Sequence, residues 1–170
     1  PIHGRPYLVE KYKKKLARMK PQPGPDYILE GNPDSPTFPT RKELDELIKR
    51  PLYANSYKSY PNDLVKVKQK QDNVEFAGMV EAVDQSLGTL MDKLKEHGLV
   101  ENTIVFFMSD NGGMSVMNGT PARVVPQKQL DTATSSSNLP LRGAKGWLYE
   151  GGIRGPMIVK WPHQGKKDIV

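Results

Sequence analysis

The residue types that could do chemistry in this sequence are concentrated in two short clusters. The first, at residues 109–113, reads Ser-Asp-Asn-Gly-Gly. Asp110 offers a carboxylate and Asn111 a side-chain carbonyl, and both are hard oxygen ligands of the kind that Ca²⁺ or Mg²⁺ prefers. Gly112 and Gly113 would let the backbone turn sharply and let a ligand approach closely. The alternative interpretation is an ordinary Asn-Gly turn that holds no ligand.

The second cluster, at residues 141–156, mixes four charged residues with five glycines. Lys145 could place its positive charge against an anionic group such as a sulfate or phosphate oxygen. Glu150 and Arg154 are four residues apart, so we expect them to pair with each other or with the backbone and to support the loop. The alternative here is a glycine-rich surface turn whose charges are solvated.

Helix and strand patterns place both clusters beside predicted strands. Apolar residues between Val80 and Leu94 recur on one face of a helix, and Gly98 follows as its C′ residue. Residues 103–108 form a continuous apolar run, typical of a strand that is buried on both faces of a parallel sheet. Residues 156–161 are a second strand candidate. Helix, short turn and buried strand predict an α/β layered fold, in which ligands collect beyond the carboxyl ends of the strands.

Sequence patterns in the first third of the chain predict two shorter helices. A basic helix is expected after Pro6, and a second one opens with the capping-box pattern Thr-x-x-Glu at Thr40 and Glu43. Between them, residues 21–39 are rich in Pro, Gly, Asp and Asn, which predicts a loop. Residues 112–138 also lack periodicity, and a loop of this length in a compact domain is usually functional or disordered.

The net charge, the lack of long apolar runs and the absence of cysteine further restrict the possible functions. The formal net charge is +6 and is concentrated in the Lys-rich residues 11–20 and 66–70. These residues could attract an anionic polymer, but the simpler expectation is that they are the solvated faces of helices and that no nucleic acid is bound. No apolar run is long enough to predict a membrane span. The sequence has no cysteine, which excludes disulfides and a Cys nucleophile within it.

Together the two clusters resemble the sulfatase family. That family joins a strand ending in Asp-Asn-Gly to a downstream Gly-x-Lys-Gly-x-x-x-Glu-Gly-Gly-x-Arg-x-Pro stretch, which residues 143–156 match. Residues 79–88 are also similar to the family's helix before the metal strand. The resemblance covers roughly residues 73–162, and residues 1–72 match only loosely. We therefore expect a single partial domain over residues 1–170, the central-to-late part of a sulfatase catalytic domain.

The resemblance implies an alkaline-phosphatase-like α/β fold, layered, with a mixed and mostly parallel sheet flanked by helices. It implies that Asp110 and Asn111 are two ligands of one Ca²⁺ (or Mg²⁺). It gives Lys145 a catalytic and sulfate-binding role, because its charge would stabilise the sulfate oxygens as the ester bond breaks. Glu150 and Arg154 would support the site. The family's nucleophile, a formylglycine made from Cys or Ser in a Cys/Ser-x-Pro-x-Arg motif, is expected upstream, since no such motif occurs in this sequence.

The implied activity is hydrolysis of sulfate esters, on a sulfated small molecule or a glycan, in a periplasmic, secreted or lysosomal-type compartment. The segment by itself is expected to be inactive. Two alternatives remain open: a metal-dependent phosphoester hydrolase of the same superfamily, and a non-catalytic fragment that binds anions or glycans. The family's sulfate-binding histidine precedes a Thr-Pro-Ile, so His3 is out of register with it. His97 and His163 are expected at the surface.

Overall fold

The computed structural model describes residues 2–31, 39–51, 64–116 and 136–162, together with the backbone of residues 56–57 and 125–126. The helices are α1 (Pro6–Leu16), α2 (Arg41–Leu47), α3 (Val74–Glu96) and the short α4 (Glu150–Ile153), with a 3-10 turn at Val100–Asn102. The strands are β1 (Tyr27–Glu30), β2 (Ser56–Tyr57), β3 (Val65–Lys68), β4 (Val105–Met108), β5 (Val125–Pro126) and β6 (Met157–Lys160). Within these ranges the strands pair as β1–β3, β2–β5 and β4–β6, and each pair is antiparallel.

The predicted helices are present, with the caps that the sequence indicates. At the start of α2, the Glu43 N–H donates to the Thr40 hydroxyl over 3.3 Å, and the Thr40 N–H donates to the Glu43 carboxylate over 2.7 Å. This reciprocal capping box satisfies two donors that the helix itself leaves free. Helix α3 begins after Asn73, whose side chain accepts from the Phe76 N–H. It ends at Glu96 with His97 as its C-cap, and Gly98 follows with a φ of +66°, as predicted for a C′ residue.

Helix α1 packs along α3. Leu8 and Val9 are buried, and a Cβ on the buried Gly78 of α3 would lie 3.4 Å from the Leu8 Cβ. The Lys11 ammonium lies 2.7 Å from the Glu81 carboxylate of α3, and this hydrogen bond lowers the pKa of the Glu81 carboxyl below its ordinary value. An apolar contact and an ion pair therefore join the two helices.

The prediction of a loop throughout residues 21–39 is wrong at β1. Tyr27 and Leu29 of this strand are 6% and 1% exposed, and the strand pairs with β3 in the register Tyr27↔Lys68 to Glu30↔Val65. Four residues are too few to show a period of two against a background of Pro and Gly. The strand depends on its partner, which lies about forty residues further along the chain.

The expectation that the basic residues near position 66 are solvated and helical is also wrong. Lys66 and Lys68 belong to β3, and each is only 3% exposed. Their ammonium groups lie 5.9 Å and 5.3 Å from the centre of the Tyr27 ring, and Lys68 also forms an ion pair of 2.6 Å with Asp72. Aromatic and carboxylate neighbours replace part of the hydration that these cations lose on burial.

Strand β4 is present where the apolar run predicts it, but it is not buried on both faces. Phe106 and Met108 are 62% and 63% exposed, and β4 pairs antiparallel with β6 from Val105↔Lys160 to Met108↔Met157. An apolar run reports the tendency of side chains to be buried; it carries no information on the direction of the partner strand. The described part of the chain thus combines helices with antiparallel strand pairs, and the expected mostly parallel sheet is not among these pairs.

Two small clusters of buried side chains connect elements within the described residues. One contains Leu29, Leu44 and Leu64, and joins β1 to α2. The other contains Val67, Val116 and Ala144, and joins β3 to both chemical clusters of the sequence, because Val116 follows the first cluster and Ala144 lies in the second. The apolar face of α3 is by contrast open, with Val80, Val83 and Leu90 all about half exposed. No helix in the described ranges has the length and apolar character needed to cross a membrane.

Candidate functional site

The two chemical clusters leave the same end of the β4–β6 pair. Residue 109 directly follows β4, and residue 156 directly precedes β6. The Ser109 N–H donates to the Pro156 carbonyl over 3.1 Å, so the ladder continues one step beyond Met108↔Met157. The antiparallel pairing therefore places the carboxyl end of β4 beside the second cluster and explains how residues nearly fifty positions apart meet.

Asp110 and Asn111 form the proposed cation-binding pair. The Asn111 carboxamide nitrogen donates to the Asp110 carboxylate, and the Ser109 hydroxyl donates to the Asn111 carbonyl over 2.7 Å. An amide nitrogen and oxygen occupy nearly the same volume, so a half-turn of the Asn111 carboxamide would set its oxygen beside the Asp110 oxygen. Two adjacent hard oxygens suit one Ca²⁺ or Mg²⁺. The described residues contain no group of three or more His, Cys, Asp or Glu that could hold a metal ion, and the metal-binding role of Asp110 and Asn111 stays a prediction.

Lys145 lies in an exposed turn that is attached to the first cluster by its backbone. The Lys145 N–H donates to the Gly113 carbonyl over 3.0 Å. The next residue, Gly146, has a φ of +92°, a left-handed conformation that glycine adopts without a steric cost. Ala144, immediately before, is fully buried against Val67 and Val116. The turn is thus fixed at its base, and it carries Lys145 at its exposed tip.

Glycines of both clusters lie in close contact with backbone atoms of the second cluster. A Cβ on Gly112 would lie 1.8 Å from the Gly151 carbonyl oxygen, and a Cβ on Gly152 would lie 2.0 Å from the Trp147 carbonyl oxygen. The Gly112 N–H donates to the Gly152 carbonyl over 2.8 Å. The sequence predicts that Gly112 and Gly113 let a ligand approach closely; in the structure, the backbone of the second cluster lies against Gly112 and the side chain of Asn138 lies against Gly113.

Glu150 and Arg154 form the expected ion pair. The Arg154 guanidinium donates to the Glu150 carboxylate over 3.0 Å across the single turn of α4, and both side chains are about two-thirds exposed. An exposed pair of this kind contributes about 0–1 kcal/mol to stability. The pairing is confirmed, and the support that these residues give to the site stays a prediction.

Arg142 has a structural role that the sequence did not reveal. Its guanidinium carbon lies 4.2 Å from the centre of the Tyr149 ring, and its Nε lies 3.6 Å from the Glu30 carboxylate at the end of β1. The Gly151 N–H donates to the Arg142 carbonyl over 2.7 Å. The side chain and the backbone of Arg142 therefore hold the Lys145 turn to α4 and to β1.

Asn138 is the other residue that sequence reasoning missed. Its carboxamide nitrogen lies 2.8 Å from the Gly113 carbonyl, 3.1 Å from the Gly143 carbonyl and 3.0 Å from the Gly151 carbonyl. These acceptors are 25, 5 and 13 residues away in sequence. The only local signal was an Asn at the end of a long Ser-rich loop, which is typical of a turn and does not indicate distant partners.

The histidines have surface positions as far as they are described. His97 is exposed at the end of α3, as expected. His3 is exposed too, and the following Gly4 N–H donates to the Glu75 carboxylate at the start of α3. His163 lies outside the described residues.

Comparisons with known proteins agree with the two motifs. The model of the Sulfatase family matches residues 3–170. An uncharacterized sulfatase of Schizosaccharomyces pombe is 35% identical over 115 residues, which cover 56% of this chain and 21% of that protein. A sulfatase of Formosa agariphila is 36% identical over 101 residues, covering 55% of this chain and 15% of that protein. Human arylsulfatase A is 31% identical over 111 residues, covering 65% of this chain and 19% of that protein.

The chain thus spans about a fifth or less of the length of these curated relatives. The match to the family model covers nearly all of this chain. It includes the first seventy residues, which the motifs alone matched only loosely. The resemblance inferred from the Asp-Asn-Gly and Gly-x-Lys-Gly patterns is confirmed: the chain belongs to the sulfatase family.

Proposed function

We propose that this chain is part of the catalytic domain of an enzyme that hydrolyses sulfate esters, with Asp110, Asn111 and Lys145 in its active site. The observation that supports this most directly is the joining of the two motif clusters. The Gly113 carbonyl accepts from the Lys145 N–H over 3.0 Å, and the Gly112 N–H donates to the Gly152 carbonyl over 2.8 Å. Two motifs that are separate in sequence thereby form one surface at the end of β4.

Asp110 and Asn111 would hold the metal ion, Ca²⁺ or Mg²⁺. Their side-chain oxygens are hard donors on adjacent residues, and the Ser109 hydroxyl fixes the backbone carbonyl of Asn111. When bound, such an ion stabilises negative charge on the oxygens of the ester that is cleaved. Other ligands would come from other parts of the complete protein, because Ca²⁺ takes about six to eight oxygens and this pair provides fewer.

Lys145 would bind the sulfate group and assist catalysis. A Lys ammonium is a compact point charge that suits a tetrahedral anion, and its exposed turn leaves it accessible to substrate. Its attraction for the sulfate oxygens grows as negative charge accumulates on them in the transition state, so it would contribute to turnover as well as to binding. Glu150 and Arg154 would stabilise the short helix that follows the turn.

The nucleophile would be a formylglycine supplied by another part of the complete protein, since this sequence has no cysteine and no Ser-x-Pro-x-Arg motif. The substrate class would be sulfated small molecules or glycans such as sulfated sugars. The family resemblance favours a periplasmic, secreted or lysosomal-type compartment for such an enzyme. By itself, the chain would have no sulfatase turnover.

The finer fold would be the layered, mostly parallel sheet of alkaline-phosphatase-like enzymes, to which β4 and β6 would contribute two strands. Supporting this, the apolar side chains of Phe106, Met108, Met157 and Ile158 are each more than 60% exposed in the described structure. Apolar area of this extent is ordinarily covered. Further strands and helices of the complete protein would cover it, with residues 1–72 as a variable region and residues 73–162 as the motif region of one partial domain.

The proposal is tested by measuring turnover of an aryl sulfate and of the matching aryl phosphate by the complete protein. We expect kcat/KM for the sulfate to exceed that for the phosphate by at least about a hundredfold, because the site is complementary to one transition state. A preference for the phosphate would contradict the proposal and support a phosphoester hydrolase. Absence of turnover on both esters, together with heparin binding that depends on Lys13, Lys14 and Lys15 but is unchanged by Lys145→Ala, would support the non-catalytic interpretation.

A further inference from the structure

Asn138 occupies the point where three segments of the site meet. The Gly113 carbonyl belongs to the Asp110 loop, the Gly143 carbonyl to the start of the Lys145 turn, and the Gly151 carbonyl to α4. The carboxamide nitrogen of Asn138 lies within 3.1 Å of all three oxygens, and within 3.3 Å of the Ser115 hydroxyl. One short, neutral side chain, which shares its two N–H hydrogens among these oxygens, therefore contacts every segment that carries a proposed site residue.

The geometry assigns the orientation of this carboxamide. A carbonyl oxygen can only accept a hydrogen bond, so the group that faces three of them must be the NH₂. The opposite orientation would place the Asn138 oxygen against three carbonyl oxygens. The Asn138 oxygen instead faces Gly113, where an added Cβ would lie only 2.4 Å from it. Gly113 is thus required at its position by the side chain of Asn138.

The Gly113 carbonyl is shared between the two clusters. It accepts from the Asn138 carboxamide over 2.8 Å and from the Lys145 N–H over 3.0 Å. Gly113 is three residues after Asp110, and its carbonyl is the direct link from the metal loop to the Lys145 turn. A change in the position of this one oxygen would move the proposed metal ligands relative to the proposed sulfate-binding lysine.

The backbone at Asn138 is itself fixed. The Leu141 N–H donates to the Asn138 carbonyl over 2.9 Å, which closes a turn. The Leu139 N–H donates to the hydroxyl of Ser137, a residue that is only 6% exposed. The carboxamide is therefore presented from a rigid base, so it loses little conformational entropy in making its hydrogen bonds.

We propose that Asn138 is a positioning residue of this site: its NH₂ group fixes the Gly113 carbonyl and so sets the Asp110–Asn111 loop against the Lys145 turn. This inference rests on the proposed sulfatase function and deepens it. Asn138 does not touch the reacting atoms. It acts through the two loops that carry the metal ligands and the sulfate-binding lysine.

Substitutions of Asn138 can remove its hydrogen-bond donors while keeping the size of the side chain. Asn138→Asp keeps the shape but removes both donors, and it places a negative charge against three carbonyl oxygens. Asn138→Ser keeps one donor on a shorter side chain and should have a smaller effect. Asn102→Asp is the matched control, because Asn102 is exposed in the 3-10 turn and the same chemical change there meets solvent.

The test uses the complete protein and three measurements. These are kcat and KM for an aryl sulfate, the midpoint of thermal unfolding, and amide hydrogen exchange of the peptide that contains Lys145. For Asn138→Asp we expect kcat to fall by at least about tenfold and the Lys145 amide to exchange at least about tenfold faster. We expect Asn138→Ser to fall between this variant and wild type, and Asn102→Asp to match wild type.

The inference is overturned if Asn138→Asp keeps kcat within twofold and leaves amide exchange at Lys145 unchanged. It is also overturned if both Asn138 variants lose activity only in proportion to the fraction of unfolded protein, since a purely structural residue would behave in that way. If Asn138→Asp does not fold, the Asn138→Ser variant decides by the same two criteria.

These outcomes are separable from failure of the proposed function. If the wild-type protein does not hydrolyse sulfate esters, the proposed function fails, and faster exchange of the Lys145 amide in Asn138→Asp still supports the link that Asn138 makes. If the wild-type protein is active and Asn138→Asp is indistinguishable from it in both readouts, the positioning role fails alone.

Discussion

Gly112 packs so closely against α4 that Gly112→Ala is expected to destabilise the protein. A Cβ on Gly112 would lie 1.8 Å from the Gly151 carbonyl oxygen and 2.6 Å from the Gly151 carbonyl carbon. Ordinary van der Waals contact begins at 3.4 Å. Gly112→Ala must therefore move one of two backbone segments by roughly 1.5 Å in a packed region. Since backbone atoms are involved, no rotation of a side chain can relieve the overlap.

The expected cost has two parts. Separation of the segments breaks the hydrogen bond from the Gly112 N–H to the Gly152 carbonyl, which contributes about 1 kcal/mol. Overpacking of the surrounding atoms costs about 1–3 kcal/mol more. We expect Gly112→Ala to lower the free energy of unfolding by about 2–4 kcal/mol and to lower sulfatase turnover as well, because Asp110 and Asn111 immediately precede the displaced residue.

Gly88→Ala is the matched control for this experiment. Gly88 lies in α3, and an added Cβ there meets nothing within 4 Å. Alanine is the better helix former, so Gly88→Ala should raise the free energy of unfolding by about 0.5–1 kcal/mol. Both variants would be compared with wild type by denaturant unfolding of the complete protein. A Gly112→Ala variant within about 0.5 kcal/mol of wild type would refute the packing argument.

Three further predictions concern the helices and the core. The Lys11 hydrogen bond lowers the pKa of the Glu81 carboxyl. The stabilisation from this bond is therefore present above the ordinary Glu pKa of 4.5 and is lost as the pH falls through the lowered pKa. Between about pH 5 and pH 3, wild type should lose more stability in thermal unfolding than Glu81→Gln does. Gly98→Ala should lower the free energy of unfolding, measured with denaturant, by about 1 kcal/mol, because Gly98 has a φ of +66° and an added Cβ would meet no neighbouring atom. An unchanged free energy of unfolding would contradict the left-handed cap. Leu29→Ala should cost about 2–5 kcal/mol by the same measurement, since Leu29 is 1% exposed between Leu44 and Leu64; a loss below about 1 kcal/mol would contradict that core.

Features that depend on neighbouring residues could be predicted from the sequence. The capping box of Thr40 and Glu43, the Gly98 cap of α3 and the strand before Pro162 each depend on a few consecutive residues. The two chemical clusters were recognisable for a related reason: their glycines, charges and spacing form a dense pattern within sixteen residues or fewer. Local stereochemistry and motif density explain why these elements and the family were identified correctly.

Features that depend on distant partners could not be predicted in this way. Lys66 and Lys68 look solvated until β3 pairs with β1, which brings Tyr27 over their side chains. The antiparallel pairing of β4 with β6 is likewise set by a connection of nearly fifty residues. Asn138 shows the same limit within the site, because its three carbonyl partners meet only after both clusters have folded together.

We propose that Lys145, which lies beside the Asp110 loop, acts on a sulfate ester. The most direct test is kcat/KM of the complete protein for an aryl sulfate in Lys145→Ala, with Lys95→Ala as the control because Lys95 is exposed near the end of α3. We expect a loss of at least about a hundredfold for Lys145→Ala and no change for Lys95→Ala. A Lys145→Ala variant within twofold of wild type, about 0.4 kcal/mol in the barrier, would contradict it.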